Sequence, residues 1–408
     1  MTVREKSGSR TGSAGGITSY DPDNGIFKRY IHDPTDPESI LPNATGEIIE
    51  DADGYIWVGG ESGLSRLNSE TGKFKRFISD PQNPRTLSER QVRGLYVDKE
   101  NTLWVATGMP WQLDTLGGLN RYIPENESFE RFLHDPDNPE SITNNKVRAM
   151  FEDSRGNFWI GTAGDGLHTL DKKTGAFTHY PHNPDDADQI SKPFLYGEDP
   201  NNMAPNSHIT SIFEDKKGRL WITAAYSGLN VYNPETGQMY HFERGMGEDK
   251  LKTNFIWQTF QSDDGTIWIA TGGDGQEVYK LREESLSFPF YDTKSVTGDS
   301  TSMSHGIVKD DKGKIWISST FNINPDDAFS TLRKVHPISG EINHINFRQS
   351  DNDSLWFKGF IGSISKDQIG NIWIGTNRGY YYGNTEKSDF TNLDLISLPM
   401  MTLESLRF

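Results

Sequence analysis

Residues Asp153-Ser154-Arg155-Gly156-Asn157-Phe158-Trp159-Ile160-Gly161-Thr162 decide how this chain folds, because the same arrangement returns along its whole length. A glycine stands three residues before a tryptophan at Gly54/Trp57, Gly156/Trp159, Gly218/Trp221, Gly265/Trp268, Gly313/Trp316 and Gly370/Trp373. A seventh copy has Asn101 before Trp104. Asparagine is the usual substitute for glycine where the backbone needs a positive φ, so the motif predicts a tight turn running into a strand. Six residues before the tryptophan stands Asp51, Asp98, Asp153, Asp215, Asp310 or Asp367, with Ser262 in the remaining copy.

The motif tryptophans recur every 47 to 62 residues, a period that fits four short strands and a connection. In the fourth copy these strands read as Ile209 to Glu214, Leu220 to Ala224, Leu229 to Tyr232 and Gln238 to Phe242, with a turn at Asn233-Pro234-Glu235-Thr236-Gly237. Repetition of such sheets protects nearly all their edges. The fold expected is therefore all-β, a seven-bladed β-propeller of four-stranded antiparallel blades. Residues 1–16 read as a flexible leader, 17–393 as the propeller and 394–408 as a tail. For the last blade, Ile17 to Tyr30 is expected to supply the outer two strands to the inner pair at Ile361 to Thr376. Gly379 to Leu393 is the competing source, although its Tyr380-Tyr381-Tyr382 fits the repeat poorly.

Composition agrees with short strands and many turns: 40 Gly, 10 Trp, 15 Tyr and 22 Phe. A net charge of −17 repels duplex nucleic acid and anionic membranes, so neither is expected as a partner. With no cysteine, disulfides, thiolate metal sites and a cysteine nucleophile are excluded. No apolar run approaches the roughly 18 residues of a membrane-spanning helix, and Met1 to Gly16 does not read as a signal peptide.

The motif, together with Gly166-Leu167 and the linkers Asp33-Pro34-Thr35-Asp36-Pro37-Glu38-Ser39 and Asp135-Pro136-Asp137-Asn138-Pro139-Glu140-Ser141, resembles the two-component regulator propeller repeat. The resemblance runs from about Gly16 to Leu393. It implies a sensor domain on the periplasmic or extracellular side, a signalling kinase as partner and polysaccharide fragments as ligands. No kinase, transmembrane helix or regulator domain is recognisable in this chain. A more distant similarity links it to streptogramin lyase-like propellers.

Alignment by the motif points to a binding face. The longest insertions, Thr107 to Gly118, His182 to Asn206 and Ser318 to Thr331, fall in loops expected to share one face, called the top. Seven of the ten tryptophans belong to the motif and are expected to pack one blade on the next. Trp111, Trp257 and Trp356 do not, and such rings stack well on sugars. Eleven residues before each motif tryptophan stand Gly46, Arg93, Arg148, Thr210, Trp257, His305 and Gly362, and two before that, in the second to fourth copies, Gln91, Lys146 and His208. Arg93, Lys146, Arg148, His208 and His305 would make a cationic mouth suited to carboxylates or sulfates, unless acids such as Asp114 or Asp185 neutralise them.

The leading expectation is therefore a sensor-type propeller binding an oligosaccharide on its top face, an anionic one where the cationic mouth takes part. A lyase is the second reading, with His208 or His305 as base and an arginine neutralising developing charge. A protein-interaction scaffold is the third. No cofactor is expected. The histidines lack paired metal-ligand spacing, Asp135-Pro136-Asp137 reads as a turn former, and a structural calcium in an inter-blade loop is a minor alternative.

Overall fold

The computed structural model describes residues 9–10, 16–21, 26–42, 46–109, 116–163, 166–180, 209–225, 228–242, 251, 253–262, 265–271, 277–281, 290–292, 302–321, 329–336, 341–345, 347–349, 352–354, 357–358, 361–366, 370–376, 379–384 and 391–393. The chain is all-β, built of propeller-type four-stranded antiparallel blades, and it divides into two compact units. One comprises Ile31–Met303, the other Met1–Tyr30 with Ser304–Phe408.

Each blade is an antiparallel meander. In the third, Val147–Glu152 pairs with Phe158–Thr162, which pairs with Leu167–Leu170, which pairs with Phe177–Tyr180. All seven motif tryptophans lie on the second strand of their own sheet. They are 0–6% exposed.

The turn before each tryptophan explains the motif. Gly156 N–H donates to Asp153 O, and the glycine has φ 86°. The other five motif glycines have φ between 74° and 87°, and Asn101 has φ 62°, as its place in the repeat predicts. The aspartate holds this turn and the tryptophan together. Asp153 Oδ1 accepts the N–H of Arg155 and Asn157, while Oδ2 accepts Trp159 Nε1–H at 2.9 Å. Asp51, Asp98, Asp215 and Asp310 bind Trp57, Trp104, Trp221 and Trp316 in the same way, at 2.6–2.9 Å. Ser262 reaches Trp268 at 3.3 Å. Burying an indole removes about 150–250 Å² from water, worth at most about 4–6 kcal/mol. An unpaired buried N–H would give back about 1–3 kcal/mol of that. The aspartate prevents this loss.

Successive blades pack through alternation along the second strand. Trp104 and Ala106 face forward, into a cluster completed by Ile142, Val147, Phe158, Ile160 and Phe177. Phe158 and Ile160 thus face back, while Trp159 faces forward to Ile209, Ile212, Leu220 and Ile222. Trp57 and Trp221 seed the same kind of cluster in the Ile31–Met303 unit, and Trp316 does so in the other unit. The residue two after the tryptophan must be small. A Cβ at Gly161 would lie 2.6 Å from Ile209 Cγ2, and the equivalent places hold Gly59, Ala106, Thr223, Ala270, Ser318 and Gly375.

A belt of hydrogen bonds joins neighbouring turns. Lys99 N–H donates to Glu152 Oε2, Ser154 N–H to Glu214 Oε2, and Lys216 N–H to Gln261 Oε1. Each acceptor stands seven residues before the next motif tryptophan. The second blade has Val97 there, and Asn101 Oδ1 accepts Ala52 N–H instead, at 2.8 Å. Asn101 therefore both adopts the positive φ and replaces the missing acceptor.

Three expectations need correction. The last blade completes itself: Gly379–Asn384 pairs along its length with Asn371–Thr376, and Thr391–Leu393 adds the fourth strand. Tyr381 is 2% exposed and packs with Trp316, Ile372 and Ile374, so the tyrosine-rich strand does belong to the core. Ile17–Asp21 and Ile26–Tyr30 pair with each other, and Ser9–Arg10, inside the expected leader, pairs with Ile17 and Thr18. In the insertion at Ser318 to Thr331, residues 318–321 and 329–331 are strand. Its pairing runs out to Phe321↔Phe329, and Phe357–Lys358 pairs beside it.

Replacing Asp153 by Ala strands Trp159 Nε1–H and two turn amides, and should cost about 2–4 kcal/mol in urea unfolding. Asp135→Ala, which frees only one exposed amide, should cost under about 1 kcal/mol. Burial alone would raise the Asp98 pKa, but Trp104 Nε1–H, Thr102 N–H and Lys172 outweigh it and hold it below 3.8. Its contribution is therefore complete above pH 3.8 and lost as pH falls through the lower folded value, so Asp98→Asn should flatten that part of the acid limb. Asn101→Gly keeps the turn and loses the belt bond and a long, exposed bond to Asp53 Oδ2, together about 0.5–1.5 kcal/mol; Asn101→Ala should cost more, because it also strains φ.

Candidate functional site

Five of the residues aligned eleven before the motif tryptophans share one structural property. In the second to fifth blades the pairing of first and second strands shifts by one residue at Val92/Gly94, Val147/Ala149, Ile209/Ser211 and Ile256/Gln258. The extra residues are Arg93, Arg148, Thr210 and Trp257. In the first blade Gly46 and Glu47 both bond to Gly59, across the same place. In the other unit the shift falls at Ile361/Ser363, around Gly362. A β-bulge leaves its extra residue out of the ladder and re-aims the side chain, and bulges are over-represented beside active sites.

Within the Ile31–Met303 unit these first strands lie side by side, so the bulge residues stand in a row. A Cβ at Gly94 would lie 3.1 Å from Arg148 O, which measures how closely the strands carrying Arg93 and Arg148 approach. Thr210 Oγ1 donates to Ile256 O at 2.9 Å, tying the next pair together. Arg93 is 17% exposed in its side chain, with Glu61 Oε1 3.7 Å from Nη2. Lys146, next to the third bulge, is buried, and Arg148 is half-buried. The structure thus brings Arg93 and Arg148 onto neighbouring strands, with Lys146 immediately before the second of them. The acid beside Arg93 is Glu61, on the hairpin after the first motif, while Asp114 and Asp185 lie outside the described residues. Gln91 precedes the second bulge and its carbonyl accepts Gly108 N–H.

The remaining candidates are placed less fully. Trp257 holds its bulge position in the backbone, and His305 lies on the strand Ser302–Lys309, in the part that belongs to the other unit. His208, Trp111 and Trp356 lie outside the described residues, as does the insertion His182 to Asn206. Among the described residues no group of three or more His, Asp or Glu could hold a metal ion. The Asp-rich linkers form Asx turns: Asp33 Oδ1 accepts Thr35 N–H and Asp135 Oδ1 accepts Asp137 N–H.

One repeated position escaped the sequence reading. Opposite the residue after each motif tryptophan, the third strand carries Ser65, Asn120, His168, Asn230, Tyr279, Arg333 or Tyr381. All are 0–2% exposed and all have a hydrogen-bonding group. Ser65 accepts Leu41 N–H, Asn120 accepts Ser88 N–H and His168 accepts Thr143 N–H, so each pins the linker that leads into its own blade. Its signal in the sequence is a polar residue after Gly-Leu, as in Gly63-Leu64-Ser65 and Gly166-Leu167-His168.

Residues 141–164, 204–226 and 250–273 match the two component regulator propeller family, each stretch spanning the first two strands of one blade. The chain carries repeats of this type. Histidine kinase P4 of Formosa agariphila is 23% identical over 171 residues, which is 42% of this chain and 11% of that protein. The extracellular domain of a one-component system of B. thetaiotaomicron aligns at 18% identity and TM-score 0.45, over 94% of this chain and 58% of that one. PorZ, a surface component of the type-IX secretion system of Porphyromonas gingivalis, aligns at 15% identity and TM-score 0.46, over 97% of this chain and 53% of its own. The chain therefore spans only part of the length of these relatives.

Proposed function

We propose that this chain is the ligand-sensing part of a two-component or hybrid signalling system, its seven motif-bearing sheets serving as the blades of a seven-bladed propeller. The observation that carries this reading is the bulge repeated at one register of neighbouring first strands, which lines up Arg93, Arg148, Thr210 and Trp257. A structural framework needs the same residue at each copy of a repeat, as it has at the motif tryptophans. Here the residue type varies, two arginines, a threonine and a tryptophan, while the backbone geometry is kept. That pattern suits recognition of an irregular ligand. In this reading the sensor faces the periplasm or the exterior and a kinase receives its signal.

The ligand fitting such a row is an oligosaccharide bearing carboxylate or sulfate groups. Guanidinium groups bind these oxygens in a bidentate fork, and an indole at Trp257 would stack on a sugar face. Glu61 stands where a ligand anion would compete with it for Arg93.

A screen of neutral, uronate-containing and sulfated oligosaccharides by calorimetry tests this. Binding should favour the anionic members and weaken with salt. Arg93→Ala and Arg148→Ala should each lower affinity about tenfold, or ~1.4 kcal/mol, without lowering the unfolding temperature. Absence of binding across the screen would end the proposal. An unsaturated sugar product accumulating during the titration would make the protein a lyase, with His208 or His305 as the base to examine.

A further inference from the structure

His168 holds its linker by a bond that a proton would remove. It lies on the third strand of the third blade, wholly buried, opposite Ile160 on one side and His179 on the other. Its Nε2 accepts Thr143 N–H at 3.3 Å and stands 2.9 Å from Thr143 Oγ1. A backbone N–H can only donate, so Nε2 carries no proton and the ring is neutral, with its hydrogen on Nδ1. The neighbouring blades support this assignment, because Ser65 Oγ and Asn120 Oδ1 accept the N–H of Leu41 and Ser88 at the same place. A serine or an asparagine serves there at any pH. A histidine serves only while it is neutral.

The residue across from it sharpens the contrast. In the first and second blades Ser65 and Asn120 pair with Arg76 and Arg131, whose guanidinium groups hold the linker carbonyls of Asp36 and Ser39, and of Asp80, Asn83 and Thr86. In the third blade His179 takes that place, and its ring stacks on His168 with centroids 5.0 Å apart and 20° between the planes. Two imidazolium rings so placed would repel each other. The fourth blade pairs Asn230 with His241, whose Nδ1 lies 2.6 Å from Asn230 Oδ1. There the ring donates, and a further proton leaves the bond intact. Of the three linkers whose pins are described, at Leu41, Ser88 and Thr143, the last is the one held through an imidazole acceptor.

Around His168, the second strand Phe158–Thr162 brings no charged or titratable side chain, and the fourth adds Tyr180 to His179. The linker carries Asp135, Asp137 and Glu140, all exposed, and His134, whose Nδ1–H donates to Ile142 O and still does so when the ring gains a proton. From the second blade comes Arg121, which bonds Lys172 O past the end of the same third strand and is paired with Glu130. Lys146 and Arg148 follow Thr143 by three and five residues. The chain between is a compact turn, with Lys146 N–H bonded to Asn144 Oδ1 and Val147 N–H to Asn145 O, so release of Thr143 reaches both cations.

We propose that His168 is a pH-sensitive catch: on taking up a proton it releases Thr143 and loosens the stretch that carries Lys146 and Arg148. Below about pH 6.5 a freed imidazole binds a proton and the pinned one does not. The opened linker is therefore favoured as pH falls, by about tenfold for one pH unit. The catch belongs to the ligand-free chain. Its effect on binding rests on the ligand reading, in which these two cations hold an anionic group.

Amide exchange in the ligand-free chain tests the catch. Between about pH 7.5 and 5.5, protection of the Thr143 amide, corrected for the intrinsic rate, should fall about tenfold, while the Ser88 amide held by Asn120 stays level. His168→Asn, which copies the second blade, should keep Thr143 protection level over the same range. Constant Thr143 protection in the parent, or an equal fall in parent and variant, would overturn the proposal. The effect on the site is read with a sulfated oligosaccharide, whose charge is constant across this range. On acidification the parent should lose affinity by a larger factor than His168→Asn. Equal losses would refute the coupling to the site and leave the ligand reading standing. No binding by either protein at any pH would end the ligand reading, with the Thr143 amide still deciding the catch.

Discussion

The bond from the motif aspartate to the indole N–H is the interaction on which the rest of this structure depends. Its two carboxylate oxygens do different work. One closes the turn that reverses the chain between the first and second strands, and the other lets a whole indole disappear into the interface with the next blade. Neither gain survives alone, since a turn without the indole leaves a gap between blades and an indole without the carboxylate buries an unpaired donor. Cations reinforce several copies. Lys172 lies 3.0 Å from Asp98, and Arg219 lies 2.7 Å from Asp215, so the buried charges are paired as burial demands.

With that bond in place, the other regularities follow. The tryptophan faces forward, the residues on either side of it face back, and the residue two beyond must be small because the next first strand presses there. In the second to fifth and the seventh blades the first strand then absorbs one extra residue, and the bulge takes that residue out of the ladder. The candidate site is made of these released positions. Chemistry can vary at them because the aspartate, the indole and the small residue already fix the backbone.

Much of this was legible in the sequence for a physical reason: features repeated at constant spacing stand out against loops of variable length. The turn, the left-handed Asn101 and the seven buried tryptophans all lie within a few residues of one another, so no loop intervenes. The position of Ser65, Asn120 and His168 was hidden because it lies beyond the loop between second and third strands. That loop puts Ser65 8 residues after Trp57 but Asn120 16 residues after Trp104. The row of bulge residues was found by counting back from the tryptophan, yet counting could not reveal that these residues leave the ladder. The closing of the last blade was misjudged for a different reason. Tyr381 fills a site that in other blades holds a polar residue, and Tyr279 does the same in the fifth blade, so an aromatic ring with a hydroxyl is an accepted occupant.

The linker bonds have a bearing on how such a chain can lengthen. Each linker is fastened to the third and fourth strands of the blade that follows it, by Ser65 and Phe74 in one blade, Asn120 and Phe129 in the next. The belt likewise takes its donor and its acceptor from the same two places at three consecutive junctions between repeats. A duplicated stretch of gene running from one linker to the next would therefore arrive with all its internal partners and with matching ends for both neighbours. Copies can be added and then diverge at the bulge, where no neighbour has to change in step.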